Sequence, residues 1–294
     1  TLSNIFCDNS TGVARMIRVS AGNVEIGSSA GNIIGGNASS PDTIRLGYDS
    51  EMISYSGTGV CRIENNEIGN INYWDAGGDR AFGIIVSSGT GIVKNNVVRD
   101  IKSNSTGTAS GVTSFFPAGI VFAPTATTGN ILDSNRVYNI QHTNNTSGAY
   151  TIAGFVISIP TAATDAIVQR NRVHTITTVA TGVGLNSSRV WGMLILAGTA
   201  NYINNMVTVG ETVSNDARIS GIADTSASGT NGFYYNTVVI SGSHSGSGTN
   251  NSYSFRRPVT VTPSTDNLRN NILVNTRTGG TGNYHFAIGV SSAT

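Results

Sequence analysis

Lysine is nearly missing from this chain: Lys94 and Lys102 are the only two among 17 basic residues, the rest being arginine. Charge of either sign is sparse, at 11% of residues with a net of +1, which excludes a strong electrostatic attraction to nucleic acid or acidic membrane. Cysteine is limited to Cys7 and Cys61, too few for a disulfide framework. The two read as small buried residues, with a single disulfide near the N-terminus as the alternative. No apolar run approaches the length of a membrane span, and no Lys/Arg-led leader stands at Thr1. The sequence therefore reads as a mature chain or an excised segment. No stretch sustains a 3.6-residue hydrophobic period, so amphipathic helices are not its building blocks.

Glycine, by contrast, reaches 36 residues, and Asn, Ser and Thr are abundant. Hydrophobic residues still make up 38%, too many for a chain unable to form a core. They are arranged in a repeat. Seven segments align on one asparagine: Asn66, Asn96, Asn135, Asn171, Asn205, Asn236 and Asn271. The residue three before it is apolar each time (Ile63, Val93, Leu132, Val168, Tyr202, Phe233, Leu268), as is the residue two after it (Ile68, Val98, Val137, Val173, Val207, Val238, Leu273). Ile71, Ile101, Ile140 and Ile176 add a third anchor five after the Asn. Gly210 and Ser241 interrupt it in later copies. An earlier, weaker copy lies around Asn32-Ile33-Ile34. A second motif precedes most Asn segments, as Gly83-Ile-Ile-Val86, Gly119-Ile-Val-Phe122, Gly154-Phe-Val-Ile157, Gly192-Met-Leu-Ile195 and Gly221-Ile-Ala-Asp224.

Apolar residues at period two around a turn-forming Asn imply short strands, and a fixed motif every 30 to 39 residues implies stacked coils. The expected fold is all-β: a single-stranded right-handed parallel β-helix, a solenoid of about seven to eight coils. It forms one domain over 1–294, with less regular coils in 1–60, clear Asn-centred coils in 61–275 and a terminal strand in 276–294, within a larger chain or assembly. Asparagine suits the bend between sheets because it tolerates left-handed backbone, and its amide can pair with the Asn of the next coil. Two residues before the Asn, Glu64, Lys94 and Asp133 place opposite charges above one another.

These coils resemble the parallel β-helix repeats of secreted polysaccharide-active enzymes, tailspikes and surface adhesins. Tyr234-Tyr-Asn-Thr-Val-Val-Ile240, Leu268-Arg-Asn-Asn-Ile-Leu-Val-Asn275 and Thr278-Gly-Gly-Thr-Gly-Asn-Tyr284 are similar to repeats of very large cell-surface proteins exported by type IX secretion. The resemblance implies an extracellular or cell-surface location. Catalytic members of the wider group work with clustered carboxylates, sometimes with calcium, and that cluster is not found. The first long loop holds Asp75 and Asp79, the next three hold no acid, and the fifth holds Glu211 and Asp216. A glycosidase needs two carboxyls about 5–9.5 Å apart. Asp75 and Asp79 are the nearest approach to a catalytic or calcium site, but hard cations want six or more oxygens, and a solvated turn is the favoured reading. No cofactor and no other metal site is expected.

The glycine-led strands are apolar on both faces, so the outward column Ile85, Val121, Val156, Leu194 and Ala223 needs a cover. Tyr73, Trp74, Phe115, Phe116, Tyr150 and Trp191 could supply it from the loops, or a partner or sugar could bind there. The functional expectation is a non-catalytic, adhesin-like structural module with further β-helix or other subunits at its open ends or stripe. A carbohydrate-active lyase, hydrolase or glycan-binding module using the long-loop face is the alternative. Neither nucleic acid nor membrane insertion is expected.

Overall fold

The computed structural model describes residues 6–7, 13–28, 30–37, 39–41, 43–47, 49–74, 80–105, 117–146, 150–181, 188–244, 250–258, 264–281 and 284–290. These residues form a parallel β-solenoid of about seven turns, with no helix among them. Three long parallel sheets of nine, eight and eleven strands make up the wall, and each turn contributes to all three. One turn runs through Ala81–Val86 of the glycine-bearing sheet, Thr90–Lys94 of a second sheet and Val97–Ser103 of a third. The Asn segment is thus two strands in two sheets, broken at the Asn, where the sequence pattern suggested a single strand.

The asparagines form a ladder. Each donates from Nδ2 to Oδ1 of the next, at 2.9 to 3.1 Å from Asn66 to Asn271, and the copy around Asn32 adds an earlier rung at 2.8 Å. That Oδ1 also accepts the backbone N–H of the preceding rung. The second Nδ2 hydrogen reaches a main-chain carbonyl one coil back, such as Ile63 O for Asn96 at 2.8 Å. From Asn66 to Asn236 each ladder residue is 0–1% exposed, so every polar atom of these amides is used where water cannot substitute.

The left-handed backbone does not fall on the ladder Asn. It falls one residue earlier, at Asn65, Asn95, Ser134, Arg170, Asn204, Tyr235 and Asn270, with φ between 52° and 62°. The ladder residue is freed to point its amide inward. A second left-handed residue, at Asn70, Asp100, Asn139 and Thr175, precedes the third isoleucine anchor. In the later coils that extra residue is dropped. Val209 and Ile240, fully buried, then supply the anchor one position earlier, so Gly210 and Ser241 do not mark its loss.

The glycine motif and the Asn motif meet inside the tube. A Cβ added at Gly83, Gly119, Gly154, Gly192 or Gly221 would lie 2.1 to 2.4 Å from a methyl of Val98, Val137, Val173, Val207 or Val238. The valine two after each Asn therefore occupies the space that glycine leaves, and the two motifs are halves of one packing unit. Lys94 does pair in register with Glu64 and Asp133. Their ion pairs go elsewhere, however: Asp133 to Arg170 at 2.5 Å and Glu64 to Arg62 at 3.6 Å. Cys61 is a free thiol in the core, and burial pushes it up to about 12.

Candidate functional site

The outward column of the glycine-bearing sheet is in register as its pattern implied: Ile85, Val121, Val156, Leu194 and Ala223 are cross-strand neighbours. With Phe82, Ala118, Ala153 and Trp191 they form an apolar cluster separate from the main core, every member 0–9% exposed. The stripe is covered within the chain and offers no open surface.

The aromatic residues grouped with it from the sequence are dispersed. Tyr73 and Tyr150 belong to the main core, Tyr150 packing on the ring of His142 at 4.2 Å and sharing a 2.6 Å hydrogen bond with Thr146. Trp191 lies inside the outer cluster. Trp74 is exposed on the third sheet's side, with the Arg45 guanidinium 5.3 Å from its ring. Phe115, Phe116, Asp75 and Asp79 lie outside the described residues. Among the described residues no group of three or more His, Cys, Asp and Glu could hold a metal ion.

A close carboxyl pair is nevertheless present, one member in the interior and the other on the last strand of its sheet. The inward column Val86, Phe122, Ile157, Ile195 continues as Asp224. Asp224 is fully enclosed. It accepts from Ser226 N at 2.8 Å, Ser226 Oγ at 2.6 Å and Asn231 Nδ2 at 2.7 Å, and pairs with Arg257 at 3.0 Å. Arg257 also reaches Asp266 at 3.3 Å. Burial first, then the neighbouring Asp224, pushes the Asp266 carboxyl up to about 7. A signal for Asp224 was in the sequence: aligning the glycine motifs places it where Val86, Phe122, Ile157 and Ile195 stand. Asp224 is enclosed, Asp266 lies half-buried on the last strand of its sheet, and Arg257 joins the two into a polar plug near the C-terminal coils.

This plug has a pH consequence. An acid whose folded value lies above its unfolded one binds more protons when folded. Its contribution is greatest below about 4 and is lost as pH rises towards 7. Asp266→Asn is expected to remove this slope, which cannot exceed about 1.4 kcal/mol per pH unit for one proton. Denaturation midpoints at pH 5 and 8 check it, and an unchanged slope would refute the assignment.

The third sheet carries an open groove of about 490 Å³, lined by Asn70, Asn72, Arg99, Asp100, Tyr138 and Gln141 among others. Its central cation is not available for a ligand. Arg99, 1% exposed, is bound by Glu67 at 2.9 Å, Asp100 at 2.5 Å and the Gly36 carbonyl at 2.9 Å.

No protein-family model, curated protein or solved structure matches this chain. A functional reading therefore rests on its own geometry, and the part that stands out is the C-terminal coil. Ile288 continues the inward column of Ile222 and Phe255, which are 1% and 2% exposed, yet is itself 50% exposed. Val290, beyond it, is 68% exposed. Asn271 accepts from Asn236 and donates to Phe233 O at 2.8 Å. The backbone N–H and second amide hydrogen that earlier rungs direct to the next Asn meet no acceptor among the described residues.

Proposed function

We propose that this chain is a non-catalytic structural module, adhesin-like in construction, whose C-terminal coil carries a further β-helical coil in the working assembly. The last coil is the observation that supports it: core-facing Ile288 lies open, and two donors of the last ladder Asn meet no acceptor among the described residues. Parallel edges and apolar ends of this kind drive stacking unless they are covered. The full burial of Asp224 and its ion pair with Arg257 favour a non-catalytic role. The sparse charge and the resemblance to type IX-exported surface repeats favour an extracellular or cell-surface setting.

Sedimentation velocity over a concentration series tests the proposal. The chain is expected to self-associate through this end, and Ile288→Lys is expected to weaken association by at least tenfold, while circular dichroism remains unchanged. A wild-type chain that stays monomeric at high concentration would refute it.

A further inference from the structure

Three arginines border the C-terminal end of the outward apolar stripe, two in the column beside it and one in its line. Arg189 and Arg218 are directly opposite each other on neighbouring strands, about 4.8 Å apart. Arg256 continues the Leu194–Ala223 column onto the next strand. Arg218 Nε donates to Asn250 Oδ1 at 2.6 Å, and the Arg256 guanidinium lies 5.1 Å from the ring centroid of Tyr253. None of the three is paired with a carboxylate among the described residues. Burial, and then the charge of Arg218, holds the Arg189 guanidinium below the usual arginine range, and Arg256 is lowered chiefly by burial. Like charges placed opposite one another in a sheet destabilise it, so the free chain gains nothing from this arrangement.

A second, independent feature lies between them. Ser220 stands in register between Trp191 and Tyr253 on the same outward column, two residues after Arg218. It is 1% exposed, and its hydroxyl finds no hydrogen-bond partner. Beside it, Tyr253 stacks on Phe286 at 5.3 Å along a cavity of about 310 Å³ that Arg256 and Asn251 also line. Gly289 keeps this wall open, because a Cβ there would lie 2.3 Å from the Tyr253 ring.

We infer that Arg189, Arg218, Arg256 and the Ser220 hydroxyl form a binding site for an oxyanion, with the body of the ligand lying along Tyr253 and Phe286. The guanidinium fork matches a pair of oxygens on a carboxylate, sulfate or phosphate, and a buried hydroxyl supplies a further donor. The aromatic wall suits an oxyanion carried on a ring better than a free inorganic ion.

Calorimetric titration of the intact chain with sulfate, phosphate and glucuronate, each against chloride at matched ionic strength, tests the inference. Saturable binding at millimolar anion is expected, weakened at least fivefold by Arg218→Gln or Arg256→Gln and less by Ser220→Ala. Tighter binding of glucuronate assigns a ring-borne acid, and tighter binding of sulfate or phosphate assigns the inorganic group; either supports the site. Melting without anion supplies the second readout. Arg189→Gln should melt no lower than wild type, because it relieves the repulsion from Arg218 without removing the Arg218–Asn250 hydrogen bond. No saturable anion response, or an equal response in wild type and both arginine variants, would overturn the inference.

Discussion

Asn135→Ala is expected to destabilise the solenoid by roughly 3–5 kcal/mol. Asn135 stands in the middle of the ladder. Its Nδ2 donates to Asn171 Oδ1 at 3.0 Å and to Val93 O at 2.9 Å. Its Oδ1 accepts both the backbone N–H and the Nδ2 of Asn96, at 3.0 and 2.9 Å. Truncation therefore removes four bonds and leaves two buried donors on Asn96 without an acceptor. An unsatisfied buried group costs about 1–3 kcal/mol, whereas a lost solvated bond costs about 1. The contrast with Asn271→Ala follows: the last rung is partly buried, water replaces much of what it loses, and about 1 kcal/mol is expected. Chemical denaturation of the two variants side by side checks the difference. Equal losses at both rungs would show that the ladder is incidental to stability.

Gly154→Ala is expected to cost about 3 kcal/mol or more through overpacking. Its backbone is not in the left-handed region, so the penalty comes from contact alone. The new Cβ would lie 2.3 Å from Val173 Cγ2 and 2.7 Å from the Gly192 carbonyl oxygen of the next coil. The methyl can be deleted; the carbonyl is held by the sheet. Val173→Ala should thus rescue Gly154→Ala in part, with a coupling of about 1 kcal/mol or more in a double-mutant cycle, as expected for residues in contact. Full additivity would mean that the glycine and valine columns do not pack as one unit.

The parts of the fold visible in the sequence were those fixed by recurrence. Apolar residues locked at two offsets from an Asn placed the coils, the inward columns and the ladder. The two roles of asparagine could not be separated from sequence. At Asn65-Asn66, Asn95-Asn96, Asn204-Asn205 and Asn270-Asn271 the first residue takes the left-handed turn and the second the ladder, and both accept Asn. At Arg170 and Tyr235 the turn residue carries no such mark. The third anchor was misread for a similar reason: dropping one left-handed residue shifts Val209 and Ile240 by one position, which looks like loss when spacing is held fixed.

The outward stripe was legible because alternation reveals which face a residue occupies. Its burial was not, since a strand pattern carries no information about what lies over the sheet. Tyr73 and Tyr150, grouped with the loops in the sequence, sit at strand edges and turn into the core. The arginine cluster went unread because Arg189, Arg218 and Arg256 are separated by 29 and 38 positions and meet only through register. The long loops carry Asp75, Asp79, Glu211 and Asp216, which their sequence context marks. The pair that the fold brings together, Asp224 and Asp266, sits in the wall.

Small-angle X-ray scattering across a concentration series tests the central claim most directly, because it separates axial from lateral association. If the C-terminal coil accepts a further coil, the particle lengthens with concentration while its cross-sectional radius stays constant, and Ile288→Lys holds it at the length of a single chain. Growth in cross-section at constant length would contradict the account, as would a particle of unchanging dimensions at every concentration.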